Sequence, residues 1–350
     1  MRRAKTLRGS AWMLGSCASL LLLSFAPHRL FAQAAAGCEA PPAIQAALDR
    51  LPQYRENPAL TDWQVYKLRL ASLQALLRRY PNDVFVQKAY IGSTSDLRGV
   101  DTASVEETHK VDAGYKARHE LEPESAQMDY LYGLTLEGRQ TPAAIHLFDA
   151  ALKRDPTFLL PHLELVNIYQ SPVFLNKAKS VAHLKAYLNA CPDSLTGYER
   201  LDWVGDKDLE REYTGKLRKL IESRTDARAM GAYPTLWALE FKEKPPSEYG
   251  ALRKQVARDL VRLRALKLED EHEWYETLET GYKLANERKE AGWAKAQLQQ
   301  RFPHAGDTPE ITQWFKDHRL EPGASSAAKQ TYYQALLAQS SQWLKERPNG

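Results

Sequence analysis

Cysteine is nearly absent from this chain: there are three in 350 residues. No Cys-x-x-Cys occurs, which excludes a thioredoxin-type redox centre or a zinc ribbon within the sequence. Gly-x-Ser-x-Gly, His-Glu-x-x-His and a phosphate-binding glycine loop are missing as well. No nucleophile elbow, zincin helix or nucleotide cradle can therefore be read from it. Runs of alternating apolar and polar residues are lacking, so strands are not expected. The one long apolar stretch, Ala11–Ala26, is 16 residues long, short of the roughly 20 that cross a bilayer.

The first 34 residues differ from the rest. Arg2, Arg3, Lys5 and Arg8 precede the apolar stretch, Pro27 ends it, and Ala32-Gln33-Ala34 comes next. A basic start, a short apolar core and an Ala-x-Ala site are the parts of a secretory signal peptide. Residues 1–34 are thus expected to direct export to a bacterial periplasm or envelope and to be removed; the alternative is an uncleaved anchor. The whole chain has 48 Lys/Arg and 44 Asp/Glu, and residues 1–34 hold five of the former and no acid. Residues 35–350 carry 43 against 44, a net charge of −1. That balance gives no reason to expect nucleic acid or anionic lipid as a partner.

With Cys17 inside the leader, Cys38 and Cys191 remain. An exported chain sits where disulfides persist. Three fates stay open. Ala35-Ala36-Gly37-Cys38 resembles a lipobox, in which case a lipidated Cys38 would provide the protein's membrane contact. Cys38 and Cys191 can instead pair, which needs Cα atoms within about 7 Å, or both can stay free.

Residues 35–58 are rich in Ala, Pro and Gln, and Pro41, Pro42, Pro52 and Pro58 leave room for one short helix. Beyond this linker the chain reads as helix upon helix. Thr61-Asp62 is expected to cap a helix to Tyr80, and Asn82 the next, through about Tyr90. Ser104-x-x-Glu107 reads as a capping box for a helix to about Glu120. Thr141-Pro142, Ser171-Pro172 and Thr308-Pro309 each join a cap to a proline at the first helical position. Ser247 is expected to open a helix over Glu248–Leu266, and Pro234 to kink a helix pair within Ala227–Phe241. Residues 59–205 and 206–350 read as an N-terminal and a more degenerate C-terminal array.

Within Ser125–Pro192, two consecutive stretches of 34 residues each read as a pair of amphipathic helices. The first has Tyr132-Gly133 on one helix, a turn at Gly138–Thr141, then Ala144, Phe148, Ala151 and Pro156. Steps of four and three put Ala144, Phe148 and Ala151 on one face, with two small residues that let a neighbouring helix come close. Ala-x3-Phe-x2-Ala-x4-Pro at this spacing resembles the second helix of a tetratricopeptide repeat. Leu165 and Tyr169 fit the second unit, and Tyr275, Leu278, Tyr282 and Ala291 give a further match ending at Pro303. A closing Leu-to-Pro phrase recurs at Leu77–Pro81, Leu152–Pro156, Leu188–Pro192, Leu298–Pro303 and Leu344–Pro348. The resemblance implies an all-α, right-handed superhelix of about eight degenerate helix pairs with a concave groove lined by the first helices.

Candidate chemistry is sparse. On a helix, Glu269, His272, Glu273 and Glu276 share a face, and Glu106-x-x-His109 repeats the Glu-x-x-His spacing of di-iron bundles. Distant repeats of an array do not touch, so a solvated acidic helix start is the preferred reading, with no metal and no other cofactor. His146, His162 and His183 read as structural, and no catalytic residue is assigned. Carrying the repeat family's groove positions onto the matched units picks Asp129, Asn167, Gln170, Glu273, Glu276 and Lys283 as partner-binding residues. The resemblance thus implies a non-enzymatic envelope scaffold that binds a protein or peptide. Helical regions of this kind are also similar to those preceding thioredoxin-like domains. That likeness implies, alternatively, an accessory region of an envelope thiol–disulfide oxidoreductase whose redox domain is not in this chain.

Overall fold

A computed structural model describes residues 37–51, 62–96, 102–269 and 272–302, with scattered positions between 325 and 338. The leader, the Thr308-Pro309 start and the Leu344–Pro348 phrase lie outside the described residues. Regular structure among the described residues is helical throughout, with no strand. The helices are α1 (Pro42–Asp49), α2 (Asp62–Arg79), α3 (Val84–Asp96), α4 (Thr102–Leu121), α5 (Ala126–Leu136), α6 (Thr141–Arg154), α7 (Leu160–Gln170) and α8 (Lys177–Ala190). Two single-turn pieces, α9 (Leu195–Tyr198) and α10 (Leu201–Val204), lead into α11 (Lys207–Glu222). After these come α12 (Ala227–Gly231), α13 (Tyr233–Glu243), α14 (Tyr249–Ala265), α15 (His272–Ala285) and α16 (Arg288–Arg301). None of the described helices is long and apolar enough to cross a membrane.

Sequential helices pack on one another: α2 on α3, α4 on α5, α5 on α6, α7 on α8, α14 on α15 and α15 on α16. Short connections force this arrangement, because a helix joined by a tight turn can bury its apolar stripe only against its neighbour. Pro234 sits in the first turn of α13 and separates it from α12 rather than breaking a helix interior. Three expected starts are corrected. Asp83, not Asn82, caps α3, its Oδ1 accepting from the Phe85 and Val86 amides at 3.0 Å each. Helix α4 begins at Thr102, which puts Ser104 inside it; Glu107 bonds instead to Gln74 and Tyr90. Ser171-Pro172 lie in a turn, and α8 starts at Lys177 under a cap from Asn176 Oδ1 to the Lys179 amide.

The core follows the helical spacing of the apolar residues. Ala144, Phe148 and Ala151 are fully buried, and Phe148 packs so tightly on α5 that a Cβ at Gly133 would lie 2.6 Å from its ring. Gly281 on α15 is in the same position: a Cβ there would stand 2.7 Å from both Trp237 and Leu260. One apolar cluster runs from Ile91 to Tyr169 and a second from Val166 to Phe302. They meet on α7, which gives Leu165, Ile168 and Tyr169 to the first and Val166 to the second.

Residues 37–51 form a strap over the array. Cys38 is disulfide-bonded to Cys191, just past the end of α8, with Cα atoms 5.6 Å apart. Of the three fates open to the two cysteines, this structure has them paired. Tyr187 Oη donates to the Cys38 carbonyl at 2.9 Å, with Ser194 Oγ 3.1 Å from that hydroxyl. Further along, Ala40 and Ile44 pack on Val86, with Leu76, Leu77 and Tyr80 around them.

Two stability outcomes follow from this packing. Gly281→Ala is expected to cost about 1–3 kcal/mol by overpacking against Trp237. Gly215→Ala, on α11 with nothing near its Cβ, is expected to gain about 0.5–1 kcal/mol of helix propensity. Urea unfolding of the two variants beside wild type checks both signs. Replacing both Cys38 and Cys191 by Ser is expected to cost about 2–4 kcal/mol in the same assay.

Candidate partner-binding face

A continuous polar seam crosses five helices and reaches the strap. It begins with Lys88 on α3, whose Nζ lies 2.6 Å from Glu164 Oε1 on α7. Tyr130 on α5 donates to the same oxygen at 3.0 Å, and Asn167 Nδ2 donates to Glu164 Oε2 at 3.2 Å. Arg200, ahead of α10, donates from Nε to Asn167 Oδ1 at 3.1 Å and from Nη1 to the Thr196 carbonyl of α9 at 2.6 Å. Arg228 on α12 donates to Thr196 Oγ1 at 3.1 Å and faces Glu39 of the strap, with Nη1 3.6 Å from Oε1. The links Lys88–Glu164, Tyr130–Glu164, Arg200–Asn167, Arg228–Thr196 and Arg228–Glu39 join side chains from different elements, so the seam exists only when the helices are stacked in this register.

The electrostatics follow from burial. Burial alone would raise the Glu164 carboxyl, but Lys88, Arg200 and the Tyr130 hydroxyl outweigh it and hold it below its ordinary value. Glu137, at the end of α5, is pushed up to about 7, first by burial and then by repulsion from Glu164, with Lys88 opposing. Burial likewise raises Glu199, against Arg200 and Arg228. Its neighbours therefore favour the ionised form of Glu164, while burial disfavours that form of Glu137 and Glu199.

The expected site residues separate. Asn167 is a member of the seam. Gln170, one turn on, is turned to α8, where its Nε2 donates to Ser180 Oγ at 2.8 Å. Asp129 does not face a groove: it is 1% exposed, with Oδ1 2.8 Å from His119 Nε2 and Oδ2 2.7 Å from Arg154 Nε. It ties α4, α5 and α6 together. Glu273, Glu276 and Lys283 lie on α15. Glu273 is exposed, with Oε2 beside Gly231 of α12, while Lys283 pairs with Glu279 at 2.5 Å. Glu276 and Lys283 border a shallow depression with Lys295 and Phe302.

The acidic stretch around His272 does not assemble as one face. Glu269 precedes α15 and pairs with Arg301 at 3.2 Å, while His272 is buried against Phe302. No group of three or more His, Cys, Asp or Glu side chains able to hold a metal occurs among the described residues. His162 and His183 face each other across α7 and α8, Nδ1 to Nδ1 at 2.8 Å. Burial and the neighbouring ring push His162 down to about 4, so one neutral ring donates to the other. The residues that sequence reasoning missed are Lys88, Glu137, Glu164, Arg200 and Arg228. For Glu164 a signal was present: it is the sole carboxylate in Leu160–Gln170, an otherwise largely apolar helix, and an isolated charge in such a helix must find partners.

Glu137 generates a pH-dependent outcome. Its folded pKa lies above its unfolded one, so its contribution to stability is present at low pH and declines as pH rises through 7. Glu137→Gln is expected to raise stability at pH 8 by about 1 kcal/mol and to change little at pH 5. Urea unfolding at the two pH values checks this; equal effects at both would contradict it.

No family model matches the chain, and no curated protein does.

Proposed function

We propose that this chain is a non-enzymatic scaffold of the bacterial envelope, wound as a tetratricopeptide-like right-handed superhelix and binding a protein or peptide on the face that carries the polar seam. The supporting observation is the seam itself. Lys88, Asn167, Arg200 and Arg228 come from α3, α7, the α9–α10 junction and α12 and are joined along the array, which is how a stacked repeat offers one long polar surface to a partner. Arg200 bonds only to an amide oxygen and a carbonyl, and Arg69 on α2 only to the Ser93 hydroxyl at 3.2 Å. Neither guanidinium group forms a salt bridge with a carboxylate among the described residues.

The test is affinity capture from cell-envelope extract with the full chain, read by mass spectrometry, beside Lys88→Ala/Arg200→Ala. A discrete protein enriched at least fivefold by wild type and lost in the variant, with unchanged helical circular dichroism, is the expected result. Equal capture by both proteins would remove the seam as the binding surface.

A further inference from the structure

The strap does not fill the surface it covers. Between it and the array lies a cleft of about 360 Å³. The array side has a basic wall, Arg69, Lys88 and Arg228, above an apolar floor of Phe85, Leu160 and Leu163. Every charged residue on that side is a cation. The acids in the cleft, Glu39 and Asp49, both belong to the strap.

The strap's acids match the basic wall poorly. Glu39 Oε1 is buried and accepts no hydrogen bond, although Arg228 Nη1 is 3.6 Å away and Arg224 Nη1 4.0 Å. Asp49 takes its hydrogen bond at 2.6 Å from Gln45 of the strap itself. Among the described residues Arg69 is left with a serine hydroxyl. A buried carboxylate oxygen without a donor and a guanidinium without an acid cost free energy that better-placed carboxylates would recover. Three anchors hold the strap despite this mismatch: the packing of Ala40 and Ile44, the Tyr187 hydrogen bond to the Cys38 carbonyl, and the Cys38–Cys191 disulfide.

Building on the scaffold reading, we propose that this cleft is a receptor for an internal acidic and partly apolar segment of another protein, with the strap as its tethered competitor. The incoming carboxylates pair with Arg69 and Lys88, and apolar side chains rest on Phe85, Leu160 and Leu163. Glu39 yields Arg228 when the strap shifts. Reduction of the disulfide by a dithiol breaks the Cys38–Cys191 S–S bond and forms two thiols, and the reductant becomes a disulfide. The strap then keeps only non-covalent contacts and competes less well.

Fluorescence anisotropy tests this with a labelled, N-acetylated and C-amidated decapeptide of alternating Glu and Leu, so that no terminal carboxylate contributes. Matched Gln/Leu and Lys/Leu peptides are the controls. The expected result is binding of the Glu/Leu peptide alone, weakened by salt, and weakened at least tenfold by Arg69→Glu. Arg69 contributes one bond to a hydroxyl, so this change leaves the fold intact, which thermal melting confirms. Glu39→Gln, which keeps the disulfide, is expected to tighten binding severalfold, as is dithiol treatment of wild type. Equal binding of the three peptides, or indifference to Arg69→Glu, would overturn the receptor. Unchanged affinity in Glu39→Gln would overturn the competitor role. Failure of the Glu/Leu peptide alongside seam-dependent capture from extract would sink this inference and leave the scaffold standing; failure of both would sink the scaffold as well.

Discussion

A carboxylate enclosed by helices must be satisfied by its neighbours, and this array is arranged around three of them. Asp129 is held by His119 and Arg154, and Glu164 by Lys88, Tyr130 and Asn167. Asp259 takes Arg218 at 3.2 and 3.3 Å, with the Trp237 indole at 2.9 Å and Gln255 at 3.1 Å. In each case partners come from two or three elements. Such groups add little net stability compared with apolar residues of the same size. Removing one partner, however, leaves an uncompensated charge at a cost of about 3–5 kcal/mol. Apolar stripes let helices slide by a residue or rotate; a buried carboxylate permits one relative placement. The register along which the polar seam runs is therefore a consequence of these clamps.

The helical character and much of the core were legible in the sequence because they depend on spacing within about 35 residues. Ala144, Phe148 and Ala151 needed only the period of a helix to be placed on one buried face, and Thr141-Pro142 needed only local stereochemistry to mark the start of α6, although Thr141 is its first residue and not its cap. Caps were less legible. Asn82 and Asp83 are adjacent, both suited to the role, and the choice between them depends on which backbone turns first. Ser171-Pro172 carries the cap signature, but Asn176, five residues later, takes the position.

Groove positions were less legible still. A polar residue on an apolar helix is either solvated or buried with a partner, and the sequence cannot distinguish the two when the partner is remote. Asp129 finds Arg154 twenty-five residues away, and Lys88 finds Glu164 seventy-six away. Glu39 and Arg228 are further apart again. The seam is thus a product of stacking, invisible to any window shorter than two repeats. Conversely, Glu269, His272, Glu273 and Glu276 share a face by helical spacing but are split in space, because α15 starts at His272 and Glu269 turns away to Arg301.

The disulfide spans 153 residues, and that distance carries information about assembly order. Cys38 is made early and Cys191 late, and ribosomes deliver a chain from its N-terminus. The bond cannot close until Cys191 has been delivered, and the stack of α2 through α8 is what then holds the end of α8 under the strap. Once closed, it makes a covalent loop of the first half of the array, whose unfolded chain has less freedom to lose on folding.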